Sequence, residues 1–148
     1  MSRMIFVNLP VQDLERSKAF YSAIGFENEP KFSNEAAAMM KLSDTIAVML
    51  LTHPFYATFT NRPIAEPGTT SQMLLCITCD SPDEVDRITE AAKTAGGKTD
   101  VSKPVQAKGG PMYGRDFEDP DGHQWEPMWM DASFAEQGAH PVDEATAA

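Results

Sequence analysis

The sequence predicts an α+β fold in which two βαβββ modules form an incomplete, barrel-like sheet around a central cleft, with the helices outside. The order strand, helix, strands occurs twice along the 148 residues, which indicates two related modules. Each helix pattern ends at a glycine, Gly25 or Gly96, as helix C-termini commonly do. A hydrophobic content of 42% is enough for a core that both modules share.

The first module is predicted over residues 1–53. Its apolar run at 4–9 has the composition of a short buried strand and ends at Pro10. Asp13 is a suitable N-cap for a helix whose apolar residues follow the i, i+3, i+4, i+7 spacing of one buried stripe. Polar turns then separate three further predicted strands, at 26–32, 36–42 and 45–51.

A linker at 54–71, rich in proline and aromatic residues, leads to a second module at 72–131. That module starts with an apolar strand at 73–79, and Ser81-Pro82-Asp83-Glu84 has the form of a capping box for the next helix. Its remaining strands are expected at 98–105, 113–118 and 123–130. We expect residues 1–131 to form a single domain and residues 132–148 to be an acidic, flexible tail.

The composition argues against two classes of partner. With 22 acidic against 12 basic residues, the net charge of −10 repels nucleic-acid phosphates and anionic lipids, so we expect neither partner. The sequence contains no apolar run of the roughly 18 residues that a membrane span needs, and we expect a cytoplasmic protein. Cys76 and Cys79 have the C-x-x-C spacing of a redox pair or half a zinc site. In a strand, however, residues three apart point to opposite faces, which favours two small buried thiols.

Two motifs resemble those of a known family. Residues 8–26 read Asn-Leu-Pro-Val-x-Asp-Leu-x-x-Ser-x-x-Phe-Tyr-x-x-Ile-Gly-Phe, and residues 114–126 read Gly-Arg-x-Phe-x-Asp-Pro-Asp-Gly-His-x-Trp-Glu. Together with the βαβββ repeat, they are similar to the opening and closing motifs of the vicinal oxygen chelate superfamily. This superfamily includes glyoxalase I, fosfomycin resistance proteins, bleomycin-binding proteins and extradiol dioxygenases. The resemblance covers about residues 4–131 and looks closest to the predicted lactoylglutathione lyase branch.

The resemblance implies four metal-ligand positions, on the first and fourth strands of each module. They fall at or near Phe6, Leu50, Leu74 and Glu126. Only Glu126 has a side chain that can coordinate a divalent metal. A register slip of one residue would add Asn8, His53 or Thr78 without completing a ligand set. We therefore expect no tightly held cofactor; Zn, Ni, Mn or Fe would bind only if Glu126 were joined by further ligands.

Strand alternation places a mostly apolar set of side chains, with a few polar groups, on the cleft face. Such a surface suits a small organic molecule. The residues predicted to bind it are Phe6, Asn8, Leu50, Leu74, Thr78, Tyr113, Arg115 and Gln124. Glu126 has two interpretations. A carboxyl group in a partly apolar cavity is a stronger base than one in water, so Glu126 could be a general base. Alternatively, it forms a buried structural pair with Arg115 or Asn8.

Three functions remain open on the sequence alone. The leading hypothesis is a protein that binds a small organic molecule in the cleft between the modules, without a tightly held metal. The alternative is a metal-dependent, glyoxalase I-like lyase or isomerase that acts on a glutathione or other thiol adduct, with Glu126 as its base. The third is an interaction module without a ligand. Because related proteins usually pair, we also expect a homodimer.

Overall fold

The computed structural model describes residues 2–138 and confirms the α+β fold with two sheets. The first module contains β1 (Ile5–Val11), α1 (Leu14–Ala23), β2 (Glu27–Glu29), β3 (Ala37–Lys41) and β4 (Ile46–Thr52). A short helix, α2 (His53–Tyr56), begins the linker. The second module contains β5 (Leu74–Thr78), α3 (Pro82–Thr94), β6 (Lys98–Thr99), β7 (Met112–Gly114), β8 (Phe117–Glu118) and β9 (Gln124–Met130). A last helix, α4 (Ala132–Gln137), follows it.

The two modules have the same sheet topology but do not share a continuous sheet. The first sheet has the strand order β1-β4-β3-β2, and the second has the order β5-β9-β8-β6, with β7 also paired to β9. In each sheet the first strand pairs in parallel with the last, β1 with β4 and β5 with β9. The described residues therefore form no closed barrel, and β1 and β5 are both edge strands.

The helix boundaries follow from local hydrogen bonds that the sequence indicates. The Asp13 carboxylate accepts from the backbone N–H of Arg16 at 3.1 Å, and the Ser81 hydroxyl accepts from that of Glu84, also at 3.1 Å. These bonds satisfy N–H groups that have no partner within the helix. After each helix the chain turns at a glycine with positive φ, Gly25 at 107° and Gly96 at 100°.

The strand predicted at 98–105 is much shorter than expected. It ends at Thr99, and the next residue, Asp100, has a φ of 56° that few residues other than glycine adopt. The Arg115 guanidinium donates to both oxygens of the Asp100 carboxylate, at 3.0 and 2.7 Å, and this bidentate contact holds the turn. Residues 101–110 consequently form an exposed loop.

Three other expectations differ in detail. The strand predicted at 26–32 ends at Glu29, and a 3-10 turn follows from Pro30, which has no backbone N–H to donate to a sheet. The strand predicted at 113–118 is divided into β7 and β8. The expected tail begins with α4, whose N-terminus is capped by Asp131. The part of the tail at 139–148 lies outside the described residues.

The helix-covered faces of both sheets contribute to one hydrophobic core. From the first module it includes Leu9, Phe20, Tyr21 and Leu50, and from the second Ile77, Phe117 and Trp125. The aromatic rings make the contact between the modules: Phe20 lies 6.1 Å from Phe117, and Tyr21 lies 5.9 Å from Trp125, measured between ring centroids. The modules are therefore joined through the sides that carry their helices.

A buried hydrogen-bonded chain reinforces this contact. The Tyr21 hydroxyl donates to Oδ2 of Asp119 at 2.7 Å and accepts from Nε1 of Trp125 at 3.1 Å. The other oxygen of Asp119 accepts three backbone N–H groups, from residues 121–123, each at 2.9 Å. Burial, reinforced by the Asp119 carboxylate, raises the pKa of Tyr21 well above its usual value. The hydroxyl therefore stays protonated and remains a donor.

We predict that Tyr21→Phe destabilises the protein by about 1–3 kcal/mol, because it leaves buried Asp119 and Trp125 without their common partner. The free energy of unfolding in urea measures the effect, and an unchanged m-value would show that the folded state remains compact. Tyr56→Phe is the matched control, since the Tyr56 hydroxyl makes no hydrogen bond within residues 2–138. Equal stability of the two variants would contradict this role for Tyr21.

Candidate functional site

Each sheet has a face that its helix does not cover, and we call these the uncovered faces. On β1, Val7 and Leu9 pack into the helix-side core, so the intervening residues Phe6 and Asn8 lie on the uncovered face. There they line a hollow of about 360 Å³. The full lining is Phe6, Asn8, Phe32, Met39 and Met49. Asn8 is exposed and is the one polar residue among the residues that line the hollow.

Leu50, one of the predicted binding residues, does not reach this hollow. It is 0% exposed and belongs to the helix-side core, where it is opposite Leu9 in the β1–β4 register. Its neighbour Met49 lies beside Asn8 on the uncovered face. The prediction for this strand is wrong by one residue. Because successive side chains in a strand point to opposite faces, that error puts Leu50 in the core and Met49 on the uncovered face.

The uncovered face of the second sheet carries the polar groups that the sequence analysis selected. The pairing of β5 with β9 places Leu74 beside Gln124, Cys76 beside Glu126, and Thr78 beside Met128. Oε1 of Glu126 lies 3.5 Å from Nζ of Lys103, which comes from the exposed loop at 101–110. Glu126 therefore has an ammonium partner, and neither Arg115 nor Asn8 pairs with it in the described residues.

Arg115 and Tyr113 lie on the other side of the second sheet. Arg115 is buried and contacts the carboxylates of Asp100, Glu90 and Asp86, at 2.7, 2.9 and 3.2 Å. The Tyr113 hydroxyl donates to Asp86 at 2.6 Å. Burial would raise the pKa of Asp86, but hydrogen bonds from Lys108, Tyr113 and Arg115 outweigh it and lower the pKa. This network attaches the loop at 101–110 to α3 and places neither predicted binding residue near Glu126.

The two cysteines are free and differ in environment. Cys76 is exposed on the uncovered face, whereas Cys79 is buried against Val85 and Tyr113. The expectation of two buried thiols is therefore wrong for Cys76. Burial raises the pKa of the Cys76 thiol, Glu126 raises it further, and Lys103 opposes both. Burial, with Glu84 and Asp80, raises the pKa of Cys79 to about 11. Both side chains are thiols rather than thiolates at neutral pH.

The side chains do not suit a tightly held divalent metal. Within residues 2–138, no three His, Cys, Asp or Glu side chains are grouped so that they could hold one. Of the positions that the resemblance implies, Phe6 and Leu74 offer no lone pair, and Leu50 lies in the core. Nε2 of His123 lies 2.8 Å from the carbonyl oxygen of Pro10, a contact that links the two modules. This nitrogen is therefore not free to coordinate a metal.

Asp116 is the main residue of this region that the sequence analysis missed. It is only 3% exposed, and its Oδ1 accepts the backbone N–H groups of Val101 and Ser102 at 2.9 and 3.0 Å. Its Oδ2 is buried and accepts no hydrogen bond within the described residues. The closing motif does not specify the residue at this position. The one signal in the sequence is an acidic residue between Arg115 and Phe117, both of which are buried.

The comparisons with known proteins agree with this fold. The family model described as Glyoxalase/Bleomycin resistance protein/Dioxygenase superfamily matches residues 3–126. The chain belongs to this superfamily. A search of curated proteins found no match.

Solved structures of the same fold come from several bacteria. Hypothetical protein SA1046 from S. aureus is 26% identical with a TM-score of 0.70, over 87% of this chain and 94% of that one. A glyoxalase/bleomycin resistance protein/dioxygenase family enzyme from Burkholderia phytofirmans PsJN is 17% identical with a TM-score of 0.68, over 87% and 99%. Fosfomycin resistance protein FosX from Mesorhizobium loti is 18% identical with a TM-score of 0.62, over 92% and 96%. At the lower identities the similarity shows the fold alone.

No helix within residues 2–138 combines the length and the apolar character that crossing a membrane requires.

We predict that Glu126→Gln makes Cys76 more reactive, because the substitution removes a negative charge that disfavours the thiolate. The rate of alkylation by iodoacetamide at pH 8 and low salt, resolved by peptide mass spectrometry, should rise by a few fold. Cys79 serves as the internal reference, since it is buried and its pKa is about 11. An unchanged ratio of the two rates would show that Glu126 does not act on Cys76.

Proposed function

We propose that this protein binds a small organic molecule on its uncovered sheet faces, without a tightly held metal. The hollow on the first sheet carries the proposal, because it is an apolar depression with one polar side chain, the exposed Asn8, at its surface. The side-chain amide of Asn8 makes no hydrogen bond within residues 2–138, so it is available to orient a ligand. A few polar groups within an apolar lining are typical of small-molecule sites.

The second uncovered face offers a more polar surface for binding. Glu126, Gln124 and Thr78 supply oxygen and nitrogen atoms there, and Leu74 supplies apolar surface. On the first sheet, Phe6 and Phe32 are 48% and 64% exposed and line the same hollow, and contiguous apolar patches of this kind mark ligand-binding grooves. The Cys76 and Cys79 thiols are unpaired, which is common in the reducing cytoplasm, and we place the protein there.

The metal-dependent alternative finds less support. A glyoxalase I-like lyase of the lactoylglutathione lyase branch needs a group that stabilises the negative charge of an enediolate, normally a metal. The side chains on the uncovered faces do not fit that metal, and Arg115 is engaged with three carboxylates on the helix side. We therefore derive no catalytic step from Glu126 and favour binding over turnover.

We also propose that two copies of the chain pair through their edge strands. Ile5 and Phe6 on β1 are 56% and 48% exposed, and Leu74 on β5 is 55% exposed. Exposed apolar edge strands favour pairing with another chain. Sedimentation equilibrium should therefore give a dimer, and Ile5→Lys should shift it towards the monomer. A monomeric wild-type protein at 50–100 μM, roughly the range in which such pairing is expected, would overturn this proposal.

The binding proposal predicts ligand-dependent stabilisation of protein that has been treated with EDTA. The probes are S-benzylglutathione, fosfomycin and 2-naphthoic acid, and at least one should raise the melting temperature with increasing concentration. Met49→Gln keeps the side-chain length but makes the hollow polar, so it should weaken that binding about fivefold. Met73→Gln, an exposed methionine outside the hollow, is the matched control.

Three outcomes would contradict the proposal. In the first, none of the probes stabilises the protein. In the second, a stabilising probe acts equally on the wild type and on Met49→Gln. In the third, stabilisation is absent after EDTA treatment and returns with added Zn²⁺, which would favour the metal-dependent alternative.

A further inference from the structure

The loop at 101–110 is tied at its start to the second sheet and its surroundings. The Lys103 ammonium lies 3.5 Å from Glu126, and Nε2 of Gln124 donates to the Ser102 hydroxyl at 3.5 Å. The backbone N–H groups of residues 101–102 donate to Asp116. These contacts bring Lys103 onto the uncovered face, at Glu126, the candidate general base of the sequence analysis.

Two carboxylates in this region have fewer donors than they can accept. Oδ2 of Asp116 is buried without a donor, and buried polar atoms of this kind nearly always have a partner. Glu126 is partly buried, with 25% of its side chain exposed, and its ion pair with Lys103 is longer than a charge-assisted hydrogen bond of about 2.7–2.9 Å. Because Oδ2 of Asp116 is buried, only Glu126 is accessible to a ligand, and its long ion pair leaves it able to accept hydrogen bonds from a positively charged group.

The charges around Glu126 favour a cation over an anion. Lys103 is the basic group that faces Glu126, and 44% of its side chain remains exposed. The neighbouring Cys76 has a raised pKa and is uncharged at neutral pH. Arg115 and Lys108 are both paired with carboxylates on the helix side. A cationic ligand could replace Lys103 as the partner of the Glu126 carboxylate. An anionic ligand in the same place would be repelled by that carboxylate.

Two apolar side chains flank Glu126 on the same face. Met128 lies two residues further along β9, and Leu74 pairs with Gln124, two residues before Glu126. Same-face positions two residues apart in a strand are separated by about 7 Å. Leu74 is 55% exposed. A ligand that pairs with Glu126 would therefore place its hydrocarbon part against Leu74 or Met128.

We propose that this face binds an organic amine, whose ammonium group pairs with Glu126 and whose apolar body lies on the neighbouring Leu74 and Met128. Lys103 is the internal competitor that occupies the carboxylate when no amine is bound. The inference rests on the proposed binding function and names the ligand class for the second uncovered face. The Lys103–Glu126 ion pair is accessible to solvent, and such pairs are weak, so an amine can displace Lys103.

Three probes of similar size test which charge the site prefers: benzylamine is cationic, benzyl alcohol neutral and benzoate anionic. Isothermal titration of the full chain at pH 7 and low salt should show that benzylamine binds and that benzoate does not. Lys103→Met should tighten benzylamine binding by about two- to fivefold, because it removes the competitor. Glu126→Gln should weaken it about tenfold. Lys98→Met, an exposed lysine on β6, is the matched control and should change neither affinity.

A preference for the anionic probe over the cationic one would overturn the inference. If Lys103 instead anchors an anion, benzoate binds, and Lys103→Met weakens its binding. Equal binding of benzylamine to the wild type and to Glu126→Gln would also exclude the site. Far-UV circular dichroism and urea unfolding of each variant ensure that a lost affinity is not a lost fold. If benzylamine fails while a probe still binds the first-sheet hollow, the proposed function stands and this inference fails. If no probe binds either face, both fail.

Discussion

The hydrogen bond between Tyr21 and Asp119 joins the two modules within the shared core that leaves the other face of each sheet uncovered. It connects a helix of the first module to the turn that precedes β9 in the second. Three backbone N–H groups hold the carboxylate, so the position of Tyr21 is fixed by the shape of that turn. Loss of a buried hydrogen bond is costly in stability, because the group that remains cannot form a replacement hydrogen bond to water.

This connection determines which surfaces are available for function. The modules share a core through their helix-covered faces, so the other face of each sheet is left open. On the first sheet that surface is a hollow lined mainly by methionine and phenylalanine. On the second it is a polar surface around Glu126, partly covered by the loop at 101–110. The Arg115 network holds this loop from the helix side, so one buried guanidinium supports the arrangement at Glu126.

Much of the fold could be predicted from local patterns. The caps at Asp13 and Ser81 and the glycines after both helices are short-range signals, and they lie where the sequence indicates. The alternation of β1 and β5 also places Phe6 and Cys76 on uncovered faces. These features depend on residues close together in the chain, which is why a single sequence contains them.

The site was harder to predict because it depends on long-range placement. Leu50 and Met49 are both apolar, so composition does not show which of them faces the core. Arg115 has three carboxylate partners that are 15 to 29 residues away in the chain. Asp116 stands out only in the structure, where its Oδ2 is buried without a hydrogen-bond donor. No local pattern contains this information.

The most direct test of the binding site is a methionine-methyl NMR titration with the probe, among S-benzylglutathione, fosfomycin and 2-naphthoic acid, that raises the melting temperature most. Met39 and Met40 are adjacent on β3 but lie on opposite faces, Met39 in the hollow and Met40 in the core. Binding at the uncovered face predicts that the Met39 and Met49 methyl signals shift with increasing ligand while the Met40 signal does not. Shifts at Met40 without shifts at Met39 and Met49, or no shift at any of the three, would contradict a ligand site on this face.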